Sequence, residues 1–143
     1  MTFSNPDLDA IRSLLESVKT IAVVGYSPKP NRPSHAIARR LQRFGYRVIA
    51  VRPGISEGLG EKAYPNLSAV PDAIDLVDVF RSPSQVPKIV DECLRLGLKA
   101  IWMQEGAASE EAAERALAGG MTVVMDRCIA RDYSRLMCPP VAE

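Results

Sequence analysis

The sequence predicts an α/β domain: an open, doubly wound parallel sheet of about five strands, with helices on both faces. Three observations carry that expectation. Short continuous apolar runs, as expected of parallel strands buried on both faces, recur along the chain. Stretches with apolar residues at helical spacing separate them, which implies βαβ units. Glycines and prolines punctuate the borders. Right-handed crossovers then place helices on both sides of the sheet.

Asn5-Pro6 reads as an N-cap followed by proline at the first helical position. Leu8, Ile11, Leu15 and Val18 follow at helical spacing. "TIAVVG" (20–25) is the first strand. Ser34 to Phe44 forms the next helix, with Ile37, Leu41 and Phe44 on one face and Arg39, Arg40 and Arg43 solvated. Gly45 ends it, and "YRVIAV" (46–51) is the second strand. Residues 52–73 are rich in Gly, Pro, Ser and Asn and read as a surface excursion, long enough to suggest function. "IDLVDVF" (74–80) is the third strand. Ser84 to Leu96 is helical, with Pro87 harmless in its first turn and Val86, Ile89, Val90, Cys93 and Leu94 inward. "KAIWM" (99–103) is the fourth strand, and Trp102 is expected in the core. Ser109 caps "EEAAERALA", whose early glutamates suit the positive helix end. Gly119-Gly120 stops that helix before "MTVVM" (121–125), the fifth strand. The tail "RCIARDYSRLMCPPVAE" has room for one short helix before its prolines.

Bulk properties narrow the function classes. A length of 143 residues fits a single domain, and no linker, repeat or low-complexity tract divides it. The 47% apolar and 24% charged shares are ordinary for a globular protein. A net charge of +1 gives no footprint for nucleic acid or an anionic membrane surface. No apolar run is long enough for a membrane helix, and "MTFSNPDLDA" lacks signal-peptide features. Cys93, Cys128 and Cys138 form an odd set without C-x-x-C spacing, which fits a reducing, cytoplasmic setting and argues against disulfides or zinc. The single histidine, His35, argues against a His-rich metal site.

In doubly wound sheets the ligand lies outside the carboxyl ends of the strands, where strand order reverses. The segments to inspect are therefore Gly25–Ser34, Arg52–Pro53, Phe80–Pro83, Gln104–Gly106 and Asp126–Cys128. A G-x-G-x-x-G match from Gly25 fails, because Ser27 and Pro30 stand at the later positions. Pro28, Pro30 and Pro33 also stiffen the loop. Its anion chemistry survives: a helix N-terminus follows, Ser27 and Ser34 supply hydroxyls, and Lys29 and Arg32 supply cations. Those groups suit a phosphate or pyrophosphate; the plainer alternative is a stiff loop with solvated charges. An NAD enzyme places an acidic residue after the second strand for the ribose 2′-OH, but here Arg52 stands there. A cation suits a phosphorylated ribose, as in NADP or coenzyme A; the alternative is an exposed loop arginine.

Gly25-x-Ser27-Pro28, Arg32-x-Ser34-His35, "YRVIAVRP", "IDLVDVF", "IWMQEG" and "MDRC" together resemble the small stand-alone CoA-binding proteins. These are similar to the Rossmann-like nucleotide-binding half of the succinyl-CoA synthetase alpha subunit. The resemblance runs from about Leu14 to Leu136 in motif order and spacing. It implies that Gly25, Tyr26, Ser27 and Pro28, with Lys29, Arg32 and Ser34, hold the CoA phosphates. Val51, Arg52 and Pro53 would flank the adenine and its phosphorylated ribose. Phe80, Arg81 and Pro83 would line the adenosine or pantetheine path, and Gln104 and Gly106 would sit nearest the pantetheine arm. The family's usual "V-N-P" reads Val51-Arg52-Pro53 here, a departure that adds a phosphate partner.

The synthetase's catalytic machinery has no match. It needs a second domain with a phosphorylated histidine, near whose start this chain ends, whereas His35 lies in the first loop and reads as a capping or packing residue. The expectation is thus a module binding CoA or acyl-CoA without catalytic residues of its own. The alternatives are an NADP-binding reductase-like domain and the CoA-binding component of a split acyl-CoA synthetase. Cys128 follows the fifth strand and could form a mixed disulfide with a CoA thiol, although free cysteines are usually inert. Glu105 reads as an ordinary polar loop residue. Asp75 and Asp78, three apart in a strand, face opposite ways and cannot form a carboxylate pair.

Overall fold

The computed structural model describes residues 3–137, so Cys138 and the closing prolines lie outside the described residues. In chain order the elements are α1 (Leu8–Ser17), β1 (Thr20–Val24), α2 (Pro33–Arg43) and β2 (Arg47–Val51). The two-residue strands β3 (Glu57–Gly58) and β4 (Glu61–Lys62) follow, then β5 (Leu76–Val79), α3 (Val86–Leu96) and β6 (Ala100–Met103). The chain continues with α4 (Glu110–Ala118), β7 (Thr122–Met125) and α5 (Ile129–Leu136).

Five strands form one parallel sheet in the order β2-β1-β5-β6-β7. The order reverses between β1 and β5, which opens a crevice beyond their carboxyl ends. Alternation along each strand divides the core. Ile21, Val23, Val48, Ala50 and Trp102 pack with Ile11, Leu15, Leu41 and Ile129, from α1, α2 and α5. Ala22, Ile49, Val77 and Ile101 pack on the opposite face with Val90, Cys93 and Ala113, from α3 and α4. Trp102 is fully enclosed, as expected, and its indole N–H donates to the Arg127 carbonyl at 2.8 Å.

Several elements start where local chemistry places them. Ser109 caps α4 by accepting from the Ala112 N–H, and Pro87 lies in the first turn of α3 after a 3-10 turn at Pro83–Gln85. The first helix differs from expectation. Its cap is Asp7, whose carboxylate accepts from the Ala10 N–H at 2.8 Å. Asn5 instead reaches β7: its amide donates to the Met125 carbonyl at 2.9 Å and accepts from the Met125 N–H at 2.8 Å. The segment 52–73 is also more ordered than a plain excursion. It holds the β3–β4 hairpin and a 3-10 turn at Leu67–Ala69, and Tyr64 bridges Val51 at the sheet edge. Gly58 is required there, because a Cβ would lie 2.9 Å from both Ala50 Cβ and the Tyr26 ring.

Candidate functional site

Beyond the carboxyl ends of the strands lies a cavity of about 630 Å³. The β1–α2 loop contributes Gly25, Ser27, Lys29 and Arg32, with Pro33, Ser34 and Ile37 from α2 itself. Arg52 enters after β2, Phe80, Arg81 and Ser82 after β5, Gln104 to Ala107 after β6, and Cys128 after β7. All five parallel strands thus deliver residues to one cavity.

The loop after β1 is held in a single shape by its own side chains. Gly25 has φ +89°, and a Cβ there would meet the Phe80 carbonyl oxygen at 2.5 Å. Glycine is required on both counts. The Ser27 N–H donates to the Ser34 hydroxyl at 2.9 Å, and Ser34 is buried. His35 Nδ1 stands 3.0 Å from the Ser27 carbonyl oxygen and 3.1 Å from the Tyr26 hydroxyl. The imidazole therefore fastens the loop from behind, which makes it the packing residue expected. Tyr26 itself is buried, and that burial pushes its hydroxyl pKa up. The loop's backbone is stapled to the start of α2, leaving Lys29 and the helix N-terminus at the cavity.

The cavity carries excess positive charge. Lys29, Arg32 and Arg52 have no carboxylate partner among the described residues. Arg81 is held by Gln85 at its Nε and Nη2. The acidic member, Glu105, is paired with Arg131 at 3.1 Å. A positive helix end, two hydroxyls and unpaired cations together favour an anion.

The β6 and β7 ends form the other part of the lining. Gln104 is 3% exposed, and its Oε1 accepts from the Ile129 N–H at 3.1 Å, fixing the start of α5. Arg127 is tied twice, its carbonyl to Trp102 and its guanidinium to both Asp132 oxygens at 2.6 and 2.9 Å. Asp126 takes a left-handed backbone conformation, φ +60°, to make the turn between β7 and α5. These ties hold Cys128 at the cavity wall. Among the described residues, no group of three or more His, Cys, Asp or Glu side chains is placed to hold a metal ion.

Of the residues expected at the site, Gly25, Ser27, Lys29, Arg32, Ser34, Arg52, Phe80, Arg81, Gln104 and Gly106 line this cavity. Tyr26 and Val51 are buried in the core, while Pro28, Pro53 and Pro83 are exposed outside the lining. Pro33 and Ser82, within the segments expected at the strand ends, also line it, and Ile37 and Ala107 lie outside those segments. Helical spacing puts Ile37 on the core face, and its position one turn into α2 brings it to the cavity rim as well. Asp75 is exposed and accepts from the Lys19 and Thr20 N–H groups, whereas Asp78 is enclosed, so the two do not form a pair.

A family model described as the CoA binding domain matches residues 19–134. The chain is 41% identical over 125 residues to the uncharacterized protein YneT of Bacillus subtilis, covering 87% of this chain and 93% of that one. It is 30% identical over 121 residues to the ADP-forming acetate–CoA ligase I of Archaeoglobus fulgidus, covering 78% of this chain but only 18% of the ligase. The solved structure of the PH1109 protein redesigned for binding superposes with a TM-score of 0.92 at 33% identity, over 99% of each chain. Together with the Rossmann-like sheet, these matches place the sequence: the chain belongs to the CoA-binding domain family.

Proposed function

We propose that this chain binds CoA or an acyl-CoA in the cavity at the carboxyl edge of the sheet, without catalytic chemistry of its own. The observation that carries this reading is that Lys29, Arg32 and Arg52, all without carboxylate partners among the described residues, line one cavity with the start of α2. Lys29, Arg32 and the α2 end take the pyrophosphate, and Arg52 takes the phosphate on the ribose. Phe80 and Arg81 flank the path between adenosine and pantetheine. Gln104 and Gly106 meet the pantetheine arm. Sheet order supports this direction: Arg52 follows edge strand β2 and Cys128 follows edge strand β7. Those edges are four strand spacings apart, roughly 19 Å at ~4.8 Å per spacing. A long ligand with a phosphorylated adenosine at one end and a thiol at the other suits such a span.

The similarity to an ADP-forming acetate–CoA ligase favours a second reading, in which the chain is the CoA-binding component of a split acyl-CoA synthetase. Retention of a nucleotide-binding partner from native extracts, with acyl-CoA formed only by the pair, distinguishes that reading.

Isothermal titration with CoA, dephospho-CoA, NADP and NAD in parallel tests the main proposal. Micromolar CoA binding, weaker dephospho-CoA binding and no response to the nicotinamide nucleotides are expected. A preference for NADP, or no CoA binding, would sink it.

A further inference from the structure

Cys128 is a thiol that the proposed phosphate and adenosine contacts leave unused. It is 9% exposed and lines the cavity beside the residues that follow β6. Its place in the wall is fixed on both sides, by the Arg127 ties and by the Ile129 N–H on Gln104. Cys93 offers a contrast: it is fully enclosed, and burial pushes its thiol pKa up to about 12.

A second observation points to a ligand at the same place. Gln104 is 3% exposed and lines the cavity, yet its Nε2 donates to no acceptor among the described residues. The same side chain is anchored at its Oε1 by the Ile129 N–H, one residue beyond Cys128, so the amide and the thiol share this part of the wall. An amide donor at the wall of a cavity seeks a carbonyl acceptor. A pantetheine arm carries two amide carbonyls between its pyrophosphate and its sulfur, so an arm held by Gln104 brings its sulfur toward the β6–β7 end.

We propose that Cys128 is a covalent docking point for the thiol end of CoA, capturing it as a reversible mixed disulfide. The inference rests on the CoA-binding reading and adds a site of modification to it. The co-reactant is a disulfide of CoA. The Cys128 sulfur, as thiolate, attacks the CoA sulfur of that disulfide; a Cys128–CoA S–S bond forms and the original S–S bond breaks. The second sulfur departs as a thiolate and takes up a proton, balancing the one that Cys128 released. One disulfide replaces another, so no separate oxidant is needed. An external thiol reverses the step by the same exchange.

The experiment incubates the reduced full chain with CoA disulfide or glutathione disulfide and follows adducts by intact-mass and peptide mass spectrometry. One CoA adduct is expected, on the peptide carrying Cys128, released by a reducing thiol and absent from Cys128→Ala. Docking of the nucleotide raises the local concentration of the reacting sulfur, so CoA disulfide should react at least about tenfold faster than glutathione disulfide. A CoA analogue lacking the sulfur should remove that advantage at saturation. Peptide mapping of the unaltered protein keeps the test independent of how Cys128→Ala folds. Equal rates for the two disulfides, or an adduct on another cysteine, would overturn the inference. Titration with the sulfur-free analogue separates the two levels. Analogue binding without Cys128 selectivity overturns this inference alone, and no analogue binding overturns the CoA reading with it.

Discussion

At Asp78 the chain buries a carboxyl group between Val23 and Trp102 of the neighbouring strands, with neither oxygen hydrogen-bonded among the described residues. Burial pushes its pKa well above the ordinary 3.8. Above that ordinary value the unfolded chain releases the proton while the folded chain keeps it. Stability therefore falls as pH rises, until the folded carboxyl itself titrates. Asp78→Asn removes the titration, so it should stabilise the protein at pH 8 by about 1–3 kcal/mol, with a smaller gain at pH 5. Urea unfolding at the two pH values decides; parallel pH profiles for both proteins would show that Asp78 does not supply the slope. Arg52 is a residue of the opposite kind, half-buried at the cavity with a guanidinium that no carboxylate among the described residues claims. Arg52→Ala should weaken CoA by about 1.5–3 kcal/mol and dephospho-CoA by much less. Equal calorimetric losses would remove Arg52 from the ribose phosphate. The sequence made Arg52 legible, because its position after the second strand follows from the strand pattern. It did not reveal that Asp78 has no partner, since that depends on what the other strands and helices bring against it.

Among the elements, the β1–α2 loop tolerates little change at its first residue. A side chain at Gly25 meets both a left-handed backbone and the Phe80 carbonyl, which ties the loop after β1 to the loop after β5. Gly25→Ala should cost at least about 2 kcal/mol and pull the two loops apart. A fall in thermal midpoint together with weaker CoA binding is expected, and an unchanged midpoint would contradict the close approach. The helices were readable to different degrees. Ser109 and Pro87 act within one turn of their own positions, so their roles were visible in the sequence. At the N-terminus the sequence pointed to Asn5 as the cap, but Asp7 takes that place. Asn5 is engaged instead by Met125, 120 residues away. The β3–β4 hairpin was hidden for the same reason. Its strands are two residues long and lean on Tyr26 and Ala50, contacts that no local pattern announces.

Across the whole molecule, the cavity draws on five strand ends, so a ligand there holds several loops at once. Binding to the folded chain alone stabilises it by about 2.7 kcal/mol at a hundredfold excess over Kd. For a chain of this size, CoA should raise the thermal midpoint by several degrees, an effect that scanning fluorimetry resolves. Dephospho-CoA at the same concentration should raise it less, and equal shifts would again count against the Arg52 contact. Unpaired cations imply that the CoA shift shrinks as salt increases. The doubly wound layout and most of the cavity lining followed from strand positions, because topology dictates which loops meet. Ile37 did not, since its place depends on how α2 seats against the sheet. The same seating bears on how copies of the chain behave when crowded. A five-stranded sheet ends in two rows of backbone groups able to recruit a foreign strand. On the β2 side Tyr64 and its neighbours occupy the row, and on the β7 side the Asn5 amide imitates a peptide group against Met125. One asparagine thus closes that row at Met125, and its replacement by alanine should be felt first as aggregation on storage, not in ligand affinity.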